Sequence, residues 1–124
     1  MSTFPLSERL KSRKIIEDVY DNGKQINHFP FRLKYLLADF EDGANVKIAI
    51  AVPKRKVKKA VKRNRIKRQI REAYRLNKSD LLSKFEGKEK GLALFLVYTG
   101  EQDQNYQWLE KKLVDLLKKL QSNL

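Results

Sequence analysis

Arg63, Arg65, Arg68, Arg71 and Arg75 crowd into one stretch, KRNRIKRQIREAYR (62–75), with Lys62 and Lys67 among them. A guanidinium stays charged throughout the physiological pH range, and its paired, planar N–H donors match two oxygens of a phosphate. The chemistry open to such a run is recognition of a polyanion's backbone. Asn64, between two of the arginines, adds a neutral amide that both donates and accepts. It suits a hydrogen bond to a nucleotide or the fixing of local backbone, and the sequence does not choose between them.

The basic run is wider than that stretch. From Lys54 to Arg75 there are twelve Lys and Arg residues and one acid, Glu72, so this segment carries nearly all of the chain's net charge of +13. An ordinary solvated face mixes both signs to limit self-repulsion. A localised excess of one sign is the footprint of a polyanion binder. At about 100° per residue, Ile66, Ile70, Ala73 and Tyr74 share an arc of roughly 100°, enough for a core-facing stripe. Arg65, Arg68, Arg71 and Arg75 share the opposite arc, with Asn64 inside it and Lys67 at its border. The segment therefore reads as an amphipathic helix whose polar face is arginine. Lys54 and Arg55, just before it, add a second cationic surface for the same phosphate backbone.

Residues for chemistry on a bound substrate are missing. His28 is the only histidine and there is no cysteine, so no transition-metal ligand set, disulfide or thiolate site is available. There is no glycine-rich phosphate loop and no serine-nucleophile elbow. Asp18, Asp39, Glu41 and Asp42 are scattered over helix and turn positions, without the pattern of a two-metal nuclease. The expectation is no catalytic residue, no metal and no cofactor held by this chain. The N-terminus lacks the apolar run of about 7 to 15 residues of a signal peptide, and no stretch reaches the roughly 18 apolar residues of a membrane span. A soluble cytoplasmic protein without a membrane partner is expected.

The elements that must position the cations follow from periodicity. A length of 124 residues implies one domain, residues 1–124. Residues 1–11 read as an irregular arm with Phe4, Pro5 and Leu6 as packing points. Ser12 suits a helix N-cap, Ile15, Ile16, Val19 and Tyr20 have helical spacing, and Gly23 is placed to end the helix in a left-handed conformation. GKQIN (23–27) is a weaker strand candidate. FPFRLKYLLADF (29–40) alternates with period two, Phe29, Phe31, Leu33, Tyr35 and Leu37 on one face and Arg32 and Lys34 on the other. After the turn EDGAN comes VKIAIAV (46–52), with Ala49 and Ala51 on its small face, and the two strands are expected to form an antiparallel hairpin. Pro53 ends the second. The basic helix runs to Leu76 or Asn77, and KSDLLSKF (78–85) continues as a short helix. LALFLVYT (92–99) is apolar on both faces and so belongs inside a sheet. Leu109, Leu113, Leu116, Leu117 and Leu120 mark a closing helix over 105–120. The order is α-β-β-β-α-β-α.

VPKRKVKKAVKRNRIKRQIREAYR (52–75) closely resembles the signature of the bacterial ribonuclease P protein subunit family. The match rests on the basic turn Lys54 to Lys56, then Ala60 and Val61, then Arg63, Asn64 and Arg65, followed by Lys67, Arg68 and Arg71. RLKSRKIIEDVYDNGK (9–24) resembles the family's opening helix, and the similarity spans roughly residues 6 to 120. It implies a two-layer α/β sandwich with a left-handed β-α-β crossover, against the general right-handed rule. The implied partners are ribonuclease P RNA and precursor tRNA, with no DNA. The implied activity is hydrolysis of one phosphodiester bond to remove the 5′ leader, at a catalytic site in the RNA that holds the Mg2+ ions. Among first-helix positions that line the family's leader cleft, often with aromatics, are those matching Ile16 and Tyr20, and Ile16 departs from the aromatic pattern. A further cleft position maps to Lys34 or Tyr35, with alternation favouring Lys34. The competing reading for Ile16 and Tyr20 is simple packing on the sheet. Alternatives for the whole chain are a structured-RNA or ribosomal protein without a processing role, and a DNA binder using residues 57–75 as a recognition helix.

Overall fold

The computed structural model describes residues 8–124; the packing points expected at Phe4, Pro5 and Leu6 lie outside the described residues. The elements in chain order are α1 (Arg13–Asn22), β1 (Lys24–His28), β2 (Phe31–Ala38), β3 (Val46–Ala51), α2 (Ala60–Asn77), α3 (Ser79–Lys84), β4 (Gly91–Tyr98) and α4 (Tyr106–Ser122). GKQIN is therefore a strand, and the short helix after the basic one is present.

Four strands form one mixed sheet in the order β1-β2-β4-β3. The antiparallel pairing expected between β2 and β3 is not there. β4 lies between them, antiparallel to β2 and parallel to β3. The reason is visible in composition. β4 has apolar residues on both faces and is buried almost throughout, so it takes an interior place where both its edges are hydrogen-bonded and both its faces covered. The turn after β2 then carries β3 past the β4 position rather than back alongside β2. The return from β3 to parallel β4 runs through α2 and α3, a β-α-β crossover.

α2 and α4 pack side by side on one sheet face and complete the two-layer sandwich. Their core joins Phe31, Leu33 and Tyr35 of β2, Val46 and Ile48 of β3, and Leu92, Leu94, Leu96 and Tyr98 of β4 to Ile66, Ile70, Ala73 and Tyr74 of α2. The five α4 leucines named above close it. All four α2 residues of the expected stripe are buried. α1 crosses the opposite face, where Val19 packs with Leu10 and Ala93. Arg9 makes a parallel bridge to Ile48 and Leu10 N–H donates to Ile48 O at 3.0 Å, so this part of the expected irregular arm is tied to β3.

Two local expectations are corrected. Gly23 is extended, at φ −73° and ψ 156°, so it is not needed for a left-handed stop. A Cβ there would press on the Val19 carbonyl oxygen and come within 2.9 Å of Tyr35 O; glycine is required first by the last turn of α1 and then by the close approach of β2. Residues 54–59 are a turn and not the start of the basic helix, which begins at Ala60. Lys56 and Val57 N–H both donate to Pro53 O at 3.1 Å, and buried Val57 pins the turn to the core.

Because Ile70 is fully buried, Ile70→Ala is expected to destabilise the fold by about 2–5 kcal/mol. Arg68 projects into solvent, so Arg68→Ala should cost less than about 0.5 kcal/mol. Urea unfolding of the two variants checks the ranking, and the reverse order would mean that α2 is seated on the other face.

Candidate nucleic-acid interface

Burial of Ile66, Ile70, Ala73 and Tyr74 turns the other side of α2 outward. Asn64, Arg65 and Arg68 are exposed there, with Lys67 and Arg71 half-buried beside them. Three arginines of the run, Arg63, Arg65 and Arg75, have partners within the protein. Arg63 bends back, and its Nη1 donates to Val57 O at 2.9 Å and Lys58 O at 2.7 Å, clamping the turn that precedes the helix. Arg75 grips Glu72 through Nε and Nη2 at 3.0 and 2.9 Å. That hydrogen-bonded carboxylate raises the Arg75 pKa further above its usual range.

Lys54 and Arg55 are exposed on the turn after β3, beside the start of α2 as expected. Two acids that sequence reasoning missed stand next to this surface. Asp103 accepts from Arg65 Nη1 at 2.6 Å and lies 4.0 Å from Lys62 Nζ, and Glu101 lies 3.9 Å from Lys56 Nζ. Both come from the loop after β4. That loop is fixed by Tyr98, whose hydroxyl donates to Gln102 O at 2.5 Å, and by Asn105, whose side chain accepts from Trp108 N–H at 2.8 Å to cap α4. Burial, and then the Asp103 charge, raise the Tyr98 pKa, which keeps that donor protonated. No local motif signals the pairing. It follows from the parallel alignment of β3 and β4, which brings out the loops after the two strands side by side.

A second surface lies between α1 and the sheet. Lys34 is on the α1 side, and Tyr35 is in the core on the other. Lys34 Nζ donates to Tyr20 O at 2.8 Å and sits 4.0 Å from the centre of the Tyr20 ring, a cation–π arrangement. Tyr20 is 59% exposed, while Ile16 packs with the α1 cluster against the sheet. Ala49 and Ala51 do not flank Lys34 and Arg32. The rows run Lys34–Phe95–Ala49 and Arg32–Val97–Ala51, so half-buried Phe95 and Val97 occupy the floor between. Phe95 is an aromatic of this face that the hairpin expectation hid.

Two of the scattered acids are held in local structure. Asp18 accepts from Asn22 Nδ2 at 2.7 Å. Asp42 accepts from Lys47 Nζ at 2.8 Å and from Ala44 N–H, which holds its carboxyl below the usual range. Among the described residues, no three His, Cys, Asp or Glu side chains gather in a way that could hold a metal ion, and no helix is long and apolar enough to cross a membrane.

Comparison with known proteins agrees with this architecture. The model of the family described as Ribonuclease P matches residues 4–121. A ribonuclease P protein component of Porphyromonas gingivalis is 31% identical over 99% of this chain and 91% of its own length. One from Clostridium botulinum is 34% identical over 90% of this chain and 92% of its own. The structure of the Staphylococcus aureus RNase P protein superposes with a TM-score of 0.72 at 22% identity, over 91% of this chain and 94% of that one. That of Thermotoga maritima gives 0.69 at 23%, over 90% and 96%. An arginine-faced helix on a β1-β2-β4-β3 sheet, full-length sequence similarity and a shared fold lead to one conclusion: the chain belongs to the bacterial ribonuclease P protein family, the protein component of the ribonucleoprotein that matures tRNA 5′ ends.

Proposed function

We propose that residues 1–124 act as one RNA-binding domain that docks on ribonuclease P RNA through α2 and the preceding turn, and receives the 5′ leader of precursor tRNA between α1 and the sheet. The observation that carries this reading is the division of α2 into a buried apolar stripe and an outward guanidinium face. Lys54, Arg55, Asn64, Arg65, Lys67, Arg68 and Arg71 supply the RNA contacts. Arg63 serves chiefly by holding the 54–59 turn in place, and Arg75 meets RNA with its charge partly offset by Glu72. In the cleft, Tyr20 offers a ring for stacking and Lys34 a charge for a leader phosphate, with Ile16 as apolar wall. The Mg2+ ions and the hydrolytic step belong to the RNA, and the protein's part is to screen repulsion between two polyanions and to position the leader. The cytoplasm, where tRNA precursors are made in bacteria, is the matching compartment.

Reconstitution of the full chain with a bacterial ribonuclease P RNA tests the reading. Precursor cleavage at low magnesium should rise when the protein is added, and no rise would sink it. The electrostatic part has its own readout. RNA affinity should fall with salt by a log–log slope of about 0.7–0.9 per phosphate neutralised, and Arg68→Ala should lower that slope by about one unit. Asp103→Asn should act in the opposite direction and tighten RNA binding at a given salt concentration, because Arg65 and Lys62 lose a competing carboxylate. Equal slopes in all three proteins would remove this face from the interface.

For the cleft, Tyr20→Ala should weaken holoenzyme binding to precursor tRNA by about 5- to 150-fold, the range of one lost base stack, and leave mature tRNA binding unchanged. Equal losses for both RNAs, with a lowered melting temperature, would show that Tyr20 only packs.

A further inference from the structure

Two aromatic rings and a row of lysines stand outside the surfaces described above, at the β1 edge of the sheet. Phe29, in the turn from β1 to β2, is 64% exposed. Its ring meets that of Trp108 edge to face, centroids 6.3 Å apart at 66°. Lys112 Nζ lies 5.6 Å from the centre of the Trp108 ring. On α4, Trp108, Lys112, Asp115 and Lys119 recur at helical spacing on one flank, beside the leucine stripe and toward β1. There Lys119 Nζ approaches His28 Nδ1 to 3.0 Å, and Asp115 lies 3.9 Å from His28 Nε2.

We propose that this edge is a second RNA contact, which takes an unpaired segment with one base stacked against Phe29 and Trp108 and the adjoining phosphates on Lys112 and Lys119. The inference rests on the RNA-binding reading above and adds a site to it. Stacking on aromatic rings accepts any base, and the pair is placed as a platform because neither ring belongs to the core cluster. Charge selects the class of partner. Lys111, Lys112, Lys118 and Lys119 face one acid of the outer surface, Asp115. Glu110 is turned away toward α2, where it accepts from Asn77 Nδ2 at 3.0 Å. His28 registers the same field: burial first and Lys119 next lower its pKa, with Lys112 and Lys111 acting the same way and Asp115 alone opposing. A neighbouring anionic strand would relieve that field, whereas an apolar protein partner would bury it. β1 and β3 are opposite edges of the sheet, while the β1–β2 turn and the 54–59 turn stand at the same end of it, where β4 stops, so one protein could hold two RNA segments side by side at that end.

The sequence supplies its own probes, since Trp108 is the only tryptophan and His28 the only histidine. The full chain is titrated with a ten-nucleotide oligoadenylate carrying a fluorescent end label, with anisotropy reporting total binding and Trp108 emission reporting this edge. The expected result is quenched Trp108 emission and an upward shift of the His28 titration midpoint, observed by proton NMR. Phe29→Ala and Lys112→Gln should each weaken the Trp108-reported binding by about tenfold, within the range of one lost stack or charge, without moving the melting temperature. The source of the strand is read in the reconstituted holoenzyme. Quenching on addition of the catalytic RNA alone, lost in Phe29→Ala, assigns the segment to that RNA; quenching only when precursor with its leader follows assigns it to the leader. Binding by anisotropy with unchanged Trp108 emission would overturn the site and leave the α2 reading intact. Trp108 emission that changes with protein concentration in the absence of RNA would overturn it in favour of contact between two copies. Absence of binding to any RNA would overturn this site and the RNA-binding reading together.

Discussion

The pairing of β4 between β2 and β3 is the constraint on which the surface chemistry depends. β4 gives Leu92, Leu94, Leu96 and Tyr98 to the helical layer and Ala93 and Phe95 to the α1 side, so both cores are built on one strand. Because β3 and β4 run in the same direction, their C-terminal ends emerge together. The basic turn leaving β3 and the acidic loop leaving β4 therefore meet, although Arg65 and Asp103 are 38 residues apart. Binding surfaces at the carboxyl ends of parallel strands arise in many α/β folds by the same geometry. In this protein the geometry brings together charges of opposite sign.

That meeting alters what the basic run can do. Packed cations repel one another and destabilise the compact state, and a helix with this many would be costly if nothing answered them. Glu72 answers Arg75 with two hydrogen bonds, and Asp103 answers Arg65 with one. Arg63 is answered by carbonyl oxygens of the turn. These partners are unequal. A single Nη1 contact on a guanidinium that is 57% exposed leaves Arg65 with donors for a phosphate, while the two-pronged grip of Glu72 occupies the edge of Arg75. The formal charge of the segment thus overstates the donors that are free, and exposed Arg68 and Asn64 form the most open part of the face.

Features that depend on one element's own period were legible in the sequence. The buried stripe of α2, its outward arginines and the α4 leucines all follow from 3.6-residue periodicity, and Ser12 caps α1 through its hydroxyl, accepting from Ile15 N–H at 3.3 Å. Features that depend on strand order were not. Alternation put Lys34 and Arg32 on the correct face but not beside the correct neighbours, because nothing within β2 or β3 says that a distant downstream strand, β4, will come between them. The apolar character of both faces of β4 was the available clue. It fixes an interior position, and an interior β4 excludes the β2–β3 hairpin. The acidic loop was hidden for the same reason: its relation to the basic run exists only once the parallel pair has formed. Gly23 is needed for a reason the left-handed stop does not cover, since a Cβ there would press on the Val19 carbonyl of its own helix and approach Tyr35 O of β2.

In the proposed leader cleft, charge and stacking are coupled through one side chain. Lys34 sits over the Tyr20 ring and donates to the Tyr20 carbonyl, so the cation covers the aromatic surface that an unpaired base would use. A phosphate is a stronger acceptor for an ammonium than a backbone carbonyl, because both partners are then charged. On the proposed reading, a strand that brings a phosphate to Lys34 would draw the ammonium off the ring and open the ring to the adjacent base. A neutral aromatic ligand has no comparable means of displacing Lys34, and an anion without a base leaves the exposed ring unused. On that reading, selection for a polymer that carries both groups at nucleotide spacing needs no hydrogen bond to a base edge, and any leader sequence would be tolerated.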